Sequence, residues 1–132
     1  MEEHIKKSQI KVNAIVGLES RGFLLGPTLS LRLKLPFIPI RKAGKLPGKC
    51  KSVEYELEYG KDILEIQEIS IHKDMNCVIV DDLLATGGSI RTAVDLIQQC
   101  GGHVSEAMVI IELLDLKGQS LANTKIFSLI KY

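Results

Sequence analysis

VIVDDLLATGGSI, Val78 to Ile90, is the stretch on which the reading of this sequence turns. Val78, Ile79 and Val80 have the apolar continuity of a short buried strand. Asp81 and Asp82 follow at once, then Ala85, Thr86, Gly87, Gly88 and Ser89, and then a helical pattern. Glycines let the backbone approach a ligand and adopt positive φ. Several N–H groups then face one point at the positive end of a helix dipole, which suits a phosphate. Thr86 and Ser89 add hydroxyl donors, and Ser89 suits the helix N-cap. The two acids would repel a phosphate, so they require hydroxyls or a cation: a ribose diol or a hydrated Mg²⁺. The parts together predict a sugar phosphate, with its phosphate in the glycine loop and its hydroxyls on the acids. Either DD or TGG alone would describe an ordinary turn with exposed acids; the ordered run is far more specific. It is neither a Walker loop, which ends in Gly-Lys-Ser/Thr, nor a GxGxxG turn.

Outward from this stretch the chain alternates strand and helix. Downstream, Ser89 to Gln99 places Ile90, Ala93, Val94 and Ile97 on one helical face, and Gly101 and Gly102 end it. Val104 to Leu114 contains a strand, Lys117 to Leu121 a turn or short helix, and Ile126 to Ile130 a last strand. Upstream, Glu2 to Ser8 reads as helical turns anchored by Ile5, and Val12 to Gly17 as a first buried strand. The turn Glu19–Gly22 leads into a helix from Phe23 to Leu33, with Pro27 early enough to be tolerated. Phe37 to Ile40 is a second strand, and Pro39 argues for an edge or a very short strand. Ser52 to Gly60 alternates strictly, with Val53, Tyr55, Leu57 and Tyr59 on one side and Glu54, Glu56 and Glu58 on the other. A second arm from Lys61 to Ile71 completes a hairpin-like excursion. The expected fold is therefore α/β: a mainly parallel twisted sheet flanked by helices, with right-handed crossovers.

The totals set limits. With 132 residues the chain is expected to be a single domain spanning 1–132, and 45% hydrophobic with 25% charged residues is ordinary for a globular protein. A net charge of +1 provides no global field for nucleic acid or for a membrane surface. Cys50, Cys77 and Cys100 are odd in number and lack metal-ligand spacing, so neither a disulfide frame nor a protein-built metal site is expected. Cys77 and Cys100 read as packed thiols. No apolar run has spanning length and no secretory leader is evident, so a cytoplasmic, reduced setting is the expectation.

Charge then divides the chemistry. Arg41 to Lys51, RKAGKLPGKCK, carries five cations and no acid, with Gly44, Pro47 and Gly48 breaking regular structure. It could be a solvated linker, but basic loops at strand ends commonly meet anions. Ligands of parallel sheets lie at the carboxyl ends of strands. Glu19–Gly22, Arg41–Lys45 and Asp81–Ser89 all follow strands and should converge on one crevice. Arg21, Arg41, Lys42 and Lys45 would then face a second, more anionic group, and a departing pyrophosphate fits, because cations that tighten as charge develops lower a barrier.

The segments VGLESRGFLLGP, PIRKAGKLPG, LEYGKDILEIQ and VIVDDLLATGGSI, in this order, resemble the adenine phosphoribosyltransferases of the type I phosphoribosyltransferase class, from about Val12 to Tyr132. The resemblance implies a type I fold and a purine-salvage reaction: adenine and phosphoribosyl diphosphate (PRPP) give AMP and pyrophosphate. It also implies Mg²⁺ bound mainly through PRPP, and a homodimer. By resemblance, Asp81 and Asp82 contact ribose, and Ala85, Thr86, Gly87, Gly88 and Ser89 hold the 5-phosphate. Glu19, Ser20 and Arg21 form a pyrophosphate loop, where the family often has a strained peptide bond. Arg41, Lys42 and Lys45 belong to a mobile lid. Glu58 handles the purine's imidazole proton, with Tyr59 beside it in the closing loop. Read without the resemblance, Glu58 shares a solvated strand face with Glu54 and Glu56. Family members carry several dozen further residues ahead of the point matching Met1, which form a hood over the base. The expectation is a truncated hood, with the sugar-phosphate half of the site whole and the base half reduced. The competing expectation is a non-catalytic PRPP- or nucleotide-binding module; a different purine base is a weaker third.

Overall fold

The computed structural model describes residues 1–57 and 59–132. Along the chain run α1 (Glu2–Ser8), β1 (Ala14–Leu18), α2 (Gly22–Leu33), β2 (Phe37–Lys42), β3 (Cys50–Leu57) and β4 (Gly60–Gln67). After these come β5 (Asn76–Leu84), α3 (Gly88–Gln99), β6 (His103–Glu112), α4 (Gly118–Ala122) and β7 (Ile126–Lys131). One seven-stranded sheet has the order β3-β4-β2-β1-β5-β6-β7. Neighbours from β2 to β7 are parallel, and β4 and β3 add an antiparallel border. None of the described helices is long and apolar enough to cross a membrane.

The apolar runs are continuous because both faces of the inner strands are covered. Val16, Leu18, Cys77, Ile79, Ala107 and Val109 point to the side of α3 and α4. Their alternates Ile15, Val78, Val80 and Met108 point to the side of α1 and α2, where Ile5 and Leu29 meet them. The Phe37 ring lies where a Cβ on Gly17 would be 2.6 Å away, so a larger residue there would push this ring off β1. Cys77 is fully buried, and burial pushes its thiol up to about 12, an inert packed cysteine. Cys100 is half-buried against the same core.

Several boundaries differ from the sequence expectation for identifiable reasons. The first strand begins at Ala14 and extends to Leu18. The second runs on to Lys42 and is internal, since it pairs with β1 on one side and β4 on the other. Pro39 is tolerated because β4 pairs only with Arg41 and Lys42, so β2 is an edge where the proline sits. The Ile40 carbonyl accepts from Glu19 in the β1 direction, so the proline nitrogen faces the other, unpaired way. The hairpin is the border of the sheet itself rather than an excursion from it. Val53 and Tyr55 pack on the core as their alternation requires, but Leu57 and Tyr59, near the hairpin tip, are 48% and 94% exposed, because the sheet beneath has ended. At the end of α3, Gly101 at φ 89° donates to the Gln98 carbonyl and Gly102 to that of Ile97, a Schellman stop.

Candidate active site

A difference in strand length creates the site. β1 pairs with β5 only as far as Gly17–Val80, whereas β6 accompanies β5 through Asp81, Leu83 and Leu84. The strand therefore carries its two acids onward with one flank open. The chain leaving β1 at Glu19 turns away across that gap. The result is a cleft of about 440 Å³ lined by Leu18, Glu19, Ser20, Arg21, Lys42, Lys45, Tyr55, Leu64, Asp81, Asp82 and Ser89. The three loops expected to converge do meet here. Arg41 adjoins the cleft through Glu19, and Tyr59 stands out at the hairpin tip. Glu58 lies outside the described residues.

Glu19 is the hub of the first loop, and its peptide bond to Ser20 is cis. Its carboxylate accepts from Lys45 Nζ at 2.7 Å, from the Lys42 main-chain N–H at 2.9 Å and from both Nε and Nη2 of Arg41 at 3.4 and 3.3 Å. Burial acts to raise this carboxyl, but the donors from Lys45, Lys42 and Arg41 together outweigh it and hold it at about 2, below its ordinary 4.5. A carboxyl depressed in the folded state stabilises the fold above its unfolded value, and that contribution is lost as pH falls through the folded one. Resistance to urea should therefore decline from pH 4.5 toward about 2 in part through this group. Glu19→Gln should flatten that decline; an unaltered acid limb in the variant's urea midpoints would show that the cluster contributes nothing.

Arg21 Nε is 2.9 Å from Asp82 Oδ2, and Lys42 Nζ is 2.8 Å from Asp62 Oδ2. The four cations read from the sequence as an anion clamp are thus each engaged by a carboxylate. Burial pushes the Asp81 carboxyl up to about 7; the adjoining charge of Asp82 adds to the rise, although the Asp82 N–H donates to Asp81 Oδ1 at 2.9 Å and opposes it. Two oxygen-donor carboxylates side by side, one of them reluctant to ionise, are a donor set that a divalent cation would satisfy.

The glycine loop is seated by backbone against backbone. Gly87 has φ 89° and is the N-cap of α3, so the helix begins at Gly88 and the N-cap is not Ser89. Ser89 instead reaches the cleft wall, and Thr92 Oγ1 ties the first turn by donating to the Gly88 carbonyl at 2.8 Å. A Cβ on Gly87 would collide with the Gly118 carbonyl oxygen, and a Cβ on Gly118 would collide with the Ala85 carbonyl oxygen. The short helix α4 is thus a floor for the glycine loop. Gly118→Ala should cost about 1–3 kcal/mol in urea denaturation, the usual penalty of overpacking, and weaken ribose 5-phosphate binding. Wild-type stability together with wild-type affinity would refute this seating.

Sequence reasoning did not single out Tyr55, Asp62 or Gly118. Tyr55 was legible only as a core-facing position, yet it lines the cleft, and burial raises its phenol. Asp62 and Gly118 reach the site through strand pairing and loop packing, neither of which leaves a local signal.

A family model for the phosphoribosyl transferase domain matches residues 1–129. Adenine phosphoribosyltransferase 1 of Saccharomyces cerevisiae is 50% identical over 122 residues, which are 92% of this chain and 65% of the relative's length. The adenine phosphoribosyltransferase of Drosophila pseudoobscura pseudoobscura is 49% identical over 130 residues, 98% of this chain and 72% of that one. The crystal structure of the Saccharomyces cerevisiae enzyme, complexed with an imino-altritol bisphosphate and adenine, aligns with a TM-score of 0.94 at 48% identity, covering 97% of this chain and 74% of that one. The Trypanosoma brucei enzyme in complex with AMP, pyrophosphate and ribose-5-phosphate aligns at 0.91 with 32% identity, covering 98% and 60%. With the family model covering nearly the whole chain and relatives near 50% identity sharing its fold, the chain belongs to the phosphoribosyl transferase domain family and, within it, to the adenine phosphoribosyltransferases.

Proposed function

We propose that this chain transfers the phosphoribosyl group of PRPP to adenine, giving AMP and pyrophosphate. The observation that carries the reading is the single cleft in which the acids of β5, the start of α3 and the cations of two other loops meet. The relatives' names and the bound molecules of their crystal structures support it.

In this reading the N–H groups at Thr86–Ser89 and the Ser89 hydroxyl hold the 5-phosphate, with the helix dipole behind them. Asp81 and Asp82 accept the ribose hydroxyls. Arg21, Lys42 and Lys45 take the diphosphate, with Arg41 supporting it through Glu19. The bond from C1 of the ribose to the diphosphate oxygen breaks with its electron pair leaving on pyrophosphate. The new bond forms from N9 of adenine to C1, and N9 loses its proton. Cations that hold the leaving oxygens more tightly as charge develops favour the transition state over the ground state. We assign the N9 proton to Glu58, with Tyr59 beside it, on the strength of the family resemblance.

Mg²⁺ would be held mainly through PRPP oxygens, next to Asp81 and Asp82; among the described residues no group of three or more ligating side chains forms a protein-built site. When bound, the ion supplies charge neutralisation at the diphosphate. We further propose a homodimer, which agrees with Leu24 and Leu31 being 75% and 81% exposed on α2, and a reducing cytoplasmic setting, which agrees with three free cysteines.

The test is AMP formation from adenine and PRPP at high protein concentration, beside PRPP binding by calorimetry. PRPP binding without AMP would sink the transfer reading and leave a binding module. Glu58→Gln should slow turnover about 100-fold, the common scale for losing a general base, while changing PRPP affinity little. An unaltered rate would return Glu58 to a solvated strand face.

A further inference from the structure

Of the acids among the described residues that engage the clamp cations, Asp62 alone comes from the hairpin. Glu19 belongs to the loop after β1, and Asp82 to the strand bearing the sugar site. Asp62 lies on β4, opposite Tyr55 in the β3–β4 register, and the pairing of Lys42 with Leu64 brings this part of the hairpin against the end of β2. Both carboxylate oxygens are committed: Oδ2 to Lys42 Nζ at 2.8 Å, and Oδ1 to the Ile63 N–H at 2.9 Å. Asp62 is 22% exposed, whereas Lys42 is 55% exposed and lines the cleft. The acid is therefore the more enclosed partner and the lysine the more exposed one. The Lys42 main-chain N–H is held separately by Glu19, so the side chain can swing without disturbing the loop.

We infer that Asp62 is a positioning residue that holds the Lys42 ammonium back from the diphosphate subsite, so that incoming PRPP and departing pyrophosphate must compete with a built-in carboxylate for this cation. The inference rests on the proposed placement of the diphosphate among these cations. Its consequence is weaker pyrophosphate retention than four unengaged cations would give, which favours product release. An exposed ion pair of this kind is worth little in stability, so its effect should appear in ligand affinity rather than in folding.

The test is pyrophosphate binding by calorimetry, in Mg²⁺ buffer, to the full chain and to Asp62→Asn, with Asp62→Ser as a second variant. Both should bind pyrophosphate about two- to fivefold more tightly than the parent, the range expected when a partly screened ion pair no longer competes. The gain should shrink as salt rises, and it should vanish when Lys42→Ala is combined with Asp62→Asn. A simple structural role for Asp62 would not give a gain that depends on Lys42. Unchanged or weaker binding in both variants, while the parent binds PRPP and pyrophosphate normally, overturns this inference alone. An equal gain without Lys42 also overturns it, by reducing Asp62 to bulk negative charge. A parent chain that binds neither PRPP nor pyrophosphate overturns the functional reading together with the inference.

Discussion

Gly87→Val abolishes PRPP binding, with a fall in affinity of about 100-fold or more expected from the combined steric terms. Gly87 sits at φ 89°, where a β-branched residue is strained by about 1–3 kcal/mol. The first added carbon meets the Gly118 carbonyl oxygen and, at 3.3 Å, the Ala122 nitrogen, both backbone atoms that cannot swing aside. The loop or α4 must move, and the N–H groups no longer aim at one point. Gly87→Ala should fall between the parent and valine in both ribose 5-phosphate affinity and melting temperature, because it shares the first collision but lacks the two methyls. Wild-type affinity in Gly87→Val would mean that the phosphate lies elsewhere.

The second large effect is that of Asp82→Asn, for which two consequences oppose each other. In the proposed ribose-holding role, neutralising the acid weakens hydrogen bonds to ribose hydroxyls, worth about 1.5–3 kcal/mol for a charged acceptor. It also releases Arg21 from a 2.9 Å pair. Arg21 is 67% exposed, so that pair is worth no more than about 1 kcal/mol. The first term exceeds the second. PRPP affinity should fall about tenfold or more, while affinity for pyrophosphate alone holds steady or rises. Titrating ribose 5-phosphate and pyrophosphate separately distinguishes the two terms. Parallel losses for both ligands would show that Asp82 shapes the cleft as a whole rather than holding the pentose.

Legibility differs between the two halves of this site. The loop from Asp81 to Ser89 is local in sequence, and its strand-turn-helix layout can be read from residue types in order, because a strand end, two acids and a glycine turn are neighbours along the chain. The Schellman stop at Gly101–Gly102 and the burial of Val78–Val80 are legible for the same reason. The cation pairings are not. Lys42 with Asp62 and Arg21 with Asp82 join residues far apart in the chain through sheet register, so the basic groups read as an open clamp although each is already engaged. Leu57 and Tyr59 follow the strand period, but a period reports which way a side chain points and not whether anything lies beneath it.

What the sequence determined by itself was a doubly covered, mainly parallel sheet and a glycine turn opening a helix at the mouth of one strand, since continuous apolar runs and a glycine turn act through short-range physics. What only the tertiary structure decided was the open flank beside Asp81 and Asp82, the α4 floor under Gly87 and the internal neutralisation of the cations. Each of these depends on where a neighbouring element ends or packs. That is set by the fit of the whole core, and no single stretch of residues records it.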